Sequence, residues 1–304
     1  MYIFLRNNDY RYAAEQMLLM LFPEERPVYQ SSDPGLREEN AVELELKRGK
    51  TYTTAVCRLR YDRRTAQKHV RARTDGIRAG EERARIEQRI LKLAFYRAAL
   101  DVGVPKPEWG CLTGVRPAKF LAGLMQKDGL TETAAVRMLT ETFGVSKERA
   151  SLALAAERAA ARAKAALAPQ DVCLYIGIPF CPTRCAYCSF VSVDAPKLLK
   201  SIPDYLSALE QEMRSTAAAV KAAGRRVVAV YIGGGTPTTL TAPELDRLLT
   251  DTKACFDLSA CREFTVEAGR PDTVTEEKLA VLVSHGVNRV SVNPQTMSDA
   301  VLEE

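Results

Sequence analysis

The stretch Leu174-Tyr175-Ile-Gly177-Ile178-Pro-Phe-Cys181-Pro-Thr-Arg-Cys185-Ala-Tyr187-Cys188-Ser-Phe190 sets a strand-forming run directly before a loop that carries three cysteines. Leu174–Ile178 is apolar, β-branched and aromatic enough to read as a strand. Thiolates are soft ligands, suited to iron–sulfur clusters or to zinc. Three of them on one loop can wrap three corners of a cubane and leave its fourth iron open to another ligand. A structural zinc site asks for four protein ligands, commonly as paired Cys or Cys/His sets. No fourth partner follows here at such a spacing. The reading is therefore a [4Fe–4S] cluster on Cys181, Cys185 and Cys188. Cys173, at the start of the strand, reads as a small buried residue.

Downstream, strand-like runs alternate with helical segments. Val227–Ile232, Phe264–Val266 and Arg289–Val292 read as strands, and 203–219, 242–254 and 276–284 as helices. Thr241-x-x-Glu244 and Thr273-x-x-Glu276 have the form of capping boxes. Continuous apolar strands separated by helices predict a parallel sheet with helices outside, curled by crossovers of one hand. The chain ends at Glu304, soon after the fourth strand. The expected fold class is thus α/β, the first four βα units of a parallel (β/α) barrel, in a fragment of a longer protein or a prematurely ended frame.

Upstream the pattern differs. Val42, Leu44 and Leu46 alternate with Glu43, Glu45 and Lys47, and Ala55, Cys57 and Leu59 continue the alternation after an Arg48–Gly49–Lys50 turn, which predicts a hairpin. Tyr2–Leu5 reads as a strand, Tyr12–Leu21 as a helix, and 80–101 as a helix with Ile86, Ile90, Leu91, Ala94 and Leu100 on one face. Residues 102–119 are Gly- and Pro-rich loop around Trp109, followed by helices over 117–127, 132–143 and 147–168, the last capped by Ser146. The expected domains are an N-terminal α+β unit (1–101), a loop and helical connector (102–170) and the incomplete barrel (171–304).

A chain of 304 residues, 46% hydrophobic and 27% charged, can bury the cores of about two domains. A net charge of +5 permits an anionic ligand without demanding nucleic acid. Arg58, Arg60, Arg63, Arg64, Lys68, Arg71 and Arg73 form a basic stretch without interleaved aromatic residues, which reads as a solvated surface. No apolar run is long enough to span a membrane, and the N-terminus lacks the basic and apolar regions of a signal peptide. Eight cysteines in such a chain point to a reducing, cytoplasmic setting; Cys57, Cys111, Cys255 and Cys261 read as reduced thiols. With two histidines, His69 and His285, the chain is poorly supplied for His-based metal sites or triads; His285, at a helix end, reads as a dipole partner.

The spacing C-x3-C-x2-C with an aromatic residue before the third Cys resembles the motif of radical S-adenosylmethionine (SAM) enzymes. Tyr175-x-x-Ile-Pro-Phe-Cys181 is similar to the branch of oxygen-independent coproporphyrinogen III dehydrogenase and its heme chaperone-like relatives, over about residues 171–297. Trp109-Gly-Cys-Leu-Thr-Gly-Val-Arg-Pro117 resembles the HemZ-type subgroup. The resemblance implies that the cluster binds SAM at its open iron and cleaves it reductively to a 5′-deoxyadenosyl radical that takes a substrate hydrogen. It implies SAM contacts from Tyr175, near the sulfonium, and Tyr187, beside the adenine. Gly234, Gly235 and Thr236 of the Gly233-Gly-Gly-Thr-Pro237 run would meet the methionine end, with Glu267 and Gln295 as further contacts. The glycines of that run allow close backbone approach, with N–H and C=O groups open to a ligand.

The implied activity is oxidative decarboxylation of coproporphyrinogen III to protoporphyrinogen IX in heme biosynthesis, with a flavodoxin or ferredoxin type of electron donor and no nucleic acid. Arg270 stands where it could meet a propionate or form a surface ion pair. The sequence departs from proven dehydrogenases at Gly177, where they carry His, and at Phe190, where they carry a fourth Cys and the chaperone-like relatives do not. It also reads Asn293-Pro-Gln295 where Gly-Val-Gln is commoner. A heme-binding or heme-trafficking protein is therefore the alternative. A third reading, a radical SAM enzyme acting on RNA, has the basic stretch alone in its support.

Overall fold

The computed structural model describes residues 1–30, 40–78, 80–185, 187–188 and 199–303. The chain divides into two compact units, Met1–Ala165 and Ala166–Glu304.

In the first unit five strands run in the order β2-β1-β3-β4-β5, with β1 Tyr2–Arg6, β2 Val28–Tyr29, β3 Ala41–Arg48, β4 Tyr52–Tyr61 and β5 Arg64–Arg73. The hairpin predicted at Arg48–Gly49–Lys50 forms, pairing Leu44 with Cys57 and Leu46 with Ala55. The basic stretch spans the end of β4 (Arg58, Arg60), the turn at Arg63 and β5, an edge strand on β4 whose Val70 is buried. Its charges are largely engaged: Arg58 with Glu43 at 2.6 Å, Lys68 with Asp101 at 2.7 Å, Arg73 with Asp75 at 2.6 Å, and Arg71 over the Tyr52 ring.

Helices α1 (Arg11–Leu21) and α2 (Glu81–Asp101) bring Met17, Leu18, Leu91 and Phe95 onto the sheet. The same core continues through α3 (Pro117–Gln126), α4 (Glu132–Arg137) and α5 (Lys147–Ala165) by way of Leu121, Ala135 and Ala150. The helix expected over 132–143 instead breaks after α4 into a π turn at Met138–Thr142. Ser146 caps α5 through the Arg149 amide, as predicted. The Trp109–Pro117 segment has a structural role in this unit: a Cβ on Gly110 would stand 2.0 Å from the Phe143 carbonyl oxygen, so only glycine fits.

The second unit is four parallel strands in the order β6-β7-β8-β9: β6 Asp171–Ile178, β7 Arg226–Gly234, β8 Glu263–Glu267 and β9 Arg289–Ser291. Helices α6 (Ile202–Ala222), α7 (Ala242–Cys255) and α8 (Glu276–Ser284) connect them, and a short α9 (Asp299–Leu302) follows. Ile176, Ile178, Val230, Ile232 and Val266 are buried in one core with Leu206, Leu245, Leu249 and Leu282. Each such side chain contributes about 1.5–3 kcal/mol. The unit is α/β with an all-parallel sheet, as expected for the opening βα units of a barrel.

Two local expectations are corrected here. Cys173 is exposed rather than buried. It shares strand parity with Tyr175 on β6, an edge strand, so it faces away from the side on which Ile176 and Ile178 enter the core. The box at Thr241 and Glu244 is complete. The one expected at Thr273 and Glu276 is not formed, because Thr275 caps α8 through the Lys278 amide. Thr273 is buried, and its hydroxyl pairs with that of Thr238 at 2.7 Å. His285 closes α8 as expected and also meets Asp246 at 2.8 Å.

Candidate functional site

The C-terminal ends of β6, β7 and β8 carry the chemistry. β6 and β7 carry the same tripeptide one residue before their ends, Tyr175-Ile-Gly177 and Tyr231-Ile-Gly233, and the parallel register pairs these residues one to one. The isoleucines enter the core, so the tyrosines stand together on the opposite face, their rings stacked at 5.9 Å and 11°. The sequence motif points to Tyr175 and passes over Tyr231, for which the repeated tripeptide is the available signal.

Tyr231 donates its phenol to Glu267 Oε1 at 2.6 Å, while the Gly234 amide donates to Oε2 at 3.2 Å. Both carboxylate oxygens are thereby fixed. The Glu267 carboxylate raises the Tyr231 phenol above its ordinary value, and burial adds to this. Tyr175 is raised too, first by burial and then by Glu267. Both phenols stay neutral at physiological pH.

The glycine run is anchored inward. Gly235 donates to the Ile178 carbonyl at 2.8 Å and Thr236 to the Phe180 carbonyl at 2.7 Å. With Gly234 on Glu267, the amides of all three residues are engaged within the chain. They dock the strand end onto the start of the cysteine loop. Gly235 is required by that approach: a Cβ would lie 2.7 Å from the Phe180 oxygen and 3.0 Å from Cys181 Sγ. Lys278 donates to the Thr238 and Thr273 carbonyls at 2.7 and 3.0 Å, joining the turns that follow β7 and β8.

Cys181, Cys185 and Cys188 are partly exposed free thiols on the loop after β6. The Thr236 hydroxyl lies 3.4 Å from Cys181 Sγ, and Arg270 Nη1 lies 3.7 Å from Cys185 Sγ. The Cys188 amide donates to the Cys185 carbonyl at 3.0 Å, placing both on one turn. Tyr187, exposed, has its phenol raised chiefly by a hydrogen bond to Cys185. Among the described residues no three Cys, His, Asp or Glu side chains are drawn together tightly enough to grip a metal ion. What the chain supplies is three soft donors on one short loop, two of them already met by hydrogen-bond donors. That donor set fits an iron–sulfur cluster. Gln295 lies apart, exposed, at a φ of 66° beyond β9. Phe190 lies outside the described residues.

Residues 175–304 match the model of the radical SAM superfamily. This part of the chain is a radical SAM domain. Its cofactors are those of the superfamily, a [4Fe–4S] cluster and SAM. The chain is similar to the oxygen-independent coproporphyrinogen-III oxidase-like protein HemZ of Bacillus subtilis, 39% identical over 199 residues, or 64% of this chain and 40% of that protein. It is also similar to the heme chaperone HemW of B. subtilis (42% identical over 134 residues, 43% of this chain and 33% of that one) and of Escherichia coli (36% over 132 residues, 43% and 33%). Among solved structures, coproporphyrinogen III oxidase (HemN) from E. coli matches with 31% identity and a TM-score of 0.39, over 48% of this chain and 33% of that one. The chain thus spans two fifths or less of the length of these relatives. The similarity to the curated HemZ and HemW proteins is thus a similarity to part of each. No helix among the described residues is long and apolar enough to cross a membrane.

Proposed function

We propose that the chain carries the cofactor-binding part of an oxidoreductase that decarboxylates coproporphyrinogen III to protoporphyrinogen IX. One observation carries this reading. The similarity to HemZ covers 199 residues and so extends well upstream of the domain at 175–304, whereas the similarity to the heme chaperones covers little more than that domain.

In this reading Cys181, Cys185 and Cys188 are the cluster ligands. Tyr175, Tyr187, Gly234, Gly235, Thr236, Glu267 and Gln295 surround SAM. When bound, the two cofactors supply one-electron chemistry that removes a hydrogen atom from the substrate. The chain's own part is positional. Glu267, fixed by Tyr231 and Gly234, presents a carboxylate at a strand end, suited to accept hydrogen bonds from a ribose or an ammonium group. The stacked tyrosines give a flat wall, and Gly235 lets the second strand end close on Cys181. The electron donor is of flavodoxin or ferredoxin type.

Heme trafficking is the second reading. Gly177 and Phe190 favour it, and the match to the B. subtilis chaperone reaches 42% identity over 134 residues, against 39% over 199 for HemZ. The deciding experiment loads the chain anaerobically with iron and sulfide, adds SAM and a strong reductant, and quantifies 5′-deoxyadenosine with and without coproporphyrinogen III. Substrate-dependent 5′-deoxyadenosine with stepwise loss of two carboxyl groups supports the oxidoreductase, and Cys185→Ala must abolish both. SAM cleavage that leaves the porphyrinogen unchanged, with heme retained on purification, supports the chaperone.

A further inference from the structure

Arg270 follows β8, where the sequence suggests a propionate partner or a surface ion pair. The ion pair exists: Nε and Nη2 fork onto the Asp272 carboxylate, each at 3.1 Å. It accounts for only one side of the guanidinium. Nη1 turns the other way, donating to the Thr183 carbonyl at 3.1 Å and lying 3.7 Å from Cys185 Sγ. The side chain is only 23% exposed, against 56% for Asp272. Its root is fixed as well, since the Thr273 hydroxyl donates to the Arg270 carbonyl at 2.8 Å and is itself held by Thr238. A braced cation therefore reaches from the end of β8 into the loop that bears the three thiols.

Charge and hydrogen bonds at the ligand sulfurs are among the levers that set the potential of an iron–sulfur cluster. Reduction adds an electron, so a fixed positive charge at a ligand sulfur stabilises the reduced form more and raises the potential. Arginine is well suited to such a position. It stays charged at any working pH, and its planar fork serves a carboxylate on one edge and a carbonyl and a sulfur on the other.

We propose that Arg270 is a positioning residue for the cluster, tying the cysteine loop to the end of β8 through Thr183 and raising the reduction potential by holding its charge at Cys185, with Asp272 orienting the guanidinium and offsetting part of that charge. This rests on the reading that Cys181, Cys185 and Cys188 hold the cluster.

The test loads the 304-residue chain anaerobically with iron and sulfide and titrates it with dithionite through redox mediators, following the reduced cluster by electron paramagnetic resonance. Arg270→Gln keeps donor groups but removes the charge, and its midpoint must fall below that of the wild type. Arg270→Lys keeps the charge and must fall less. Asp272→Asn removes the offsetting negative charge and must raise the midpoint. Shifts of opposite sign from two residues in one ion pair are a signature that loosened packing does not produce. A wild-type midpoint in Arg270→Gln overturns the proposal. Where the Arg270 variants take up no cluster, Asp272→Asn decides, and a midpoint that stays or falls overturns it. A wild-type chain that assembles no [4Fe–4S] cluster overturns the ligand reading and this inference with it; a cluster indifferent to both substitutions overturns the inference alone.

Discussion

Tyr231 donates its phenol to Glu267 at 2.6 Å across two neighbouring parallel strands, and the carboxylate so held faces the end of the sheet where the cysteine loop begins. The phenol is one of two anchors; the Gly234 amide is the other. Tyr231→Phe removes one anchor without changing the ring that stacks on Tyr175. A hydrogen bond to a charged acceptor in a half-open site is worth about 1–1.5 kcal/mol. Cluster-loaded Tyr231→Phe should therefore bind SAM roughly 5–10-fold more weakly, as read by equilibrium dialysis. Unchanged affinity would mean that Gly234 alone orients Glu267, or that Glu267 does not meet SAM.

Two glycines near the cysteine loop should respond oppositely to alanine. At Gly235 the added Cβ has no room, since the Phe180 carbonyl, Cys181 Sγ and the Ile178 carbonyl all stand within 3.0 Å of it. Gly235→Ala should cost about 1–3 kcal/mol of stability through overpacking and reduce the iron bound per chain. At Gly177 the added Cβ meets a single ring atom of Tyr175 at 3.6 Å, an ordinary contact. Gly177→Ala should stabilise the chain by about 0.4–1 kcal/mol, because alanine has fewer unfolded conformations to lose. Urea unfolding with iron assay separates the two cases. A destabilised Gly177→Ala would show that the position is kept small for close packing.

The turn after β8 makes a third test. Thr275, not Thr273, caps α8, and Thr275→Ala should lower stability by about 1 kcal/mol. Thr273→Ala should also destabilise, by about 1–2 kcal/mol, for a different reason: it strands the buried Thr238 hydroxyl, which pairs with it at 2.7 Å. The double variant Thr238→Val, Thr273→Val removes both partners and should recover part of the loss. If the single and double variants lose the same amount, the Thr238–Thr273 pair is not what holds this turn.

The βα rhythm of the second unit is legible in the sequence because each strand is a continuous apolar run and each helix carries its own apolar face; Leu174–Ile178 and the helix over 276–284 fall where the periodicity puts them. The three cysteines are legible from spacing alone. What cannot be read is lateral. Tyr231, Arg270 and Lys278 act across strands or between turns, through partners 36, 85 and 40 residues away. No local pattern encodes such a pair, although the repeated Tyr-Ile-Gly comes close. The cap of α8 is ambiguous for the opposite reason: Thr273 and Thr275 are both followed by acidic residues, and only burial beside Thr238 decides between them. Cys173 escapes the local pattern because its strand parity with Tyr175 puts it on the face opposite Ile176 and Ile178, which its apolar sequence neighbours do not reveal. β5 is hidden by its charges, which an edge strand tolerates on its solvent side.

The first unit offers a test independent of any cofactor. Glu87, on α2, is buried and accepts from Arg48 at 2.8 and 2.7 Å, from the Tyr10 phenol at 2.8 Å and from Arg83 at 3.3 Å. Arg48 holds its carboxyl below the ordinary value of 4.5, against the opposing effect of burial, with Tyr10 and Arg83 adding to the depression. A depressed carboxylate binds its proton less readily when folded than when unfolded. Its stabilising contribution is therefore complete above the unfolded value and is lost as pH falls through the folded one. Removing one partner of a buried ion pair costs about 3–5 kcal/mol, and the half-open position of Arg48 brings the expectation for Glu87→Gln to about 2–3 kcal/mol at neutral pH. The variant should also unfold with a flatter pH dependence below about 4.5, where the wild type loses stability. Urea midpoints of both chains between neutral pH and the acid range, followed by far-ultraviolet circular dichroism, give the comparison. Parallel curves would mean that Glu87 titrates alike in the folded and unfolded chain, and that the Arg48 fork does not set its charge.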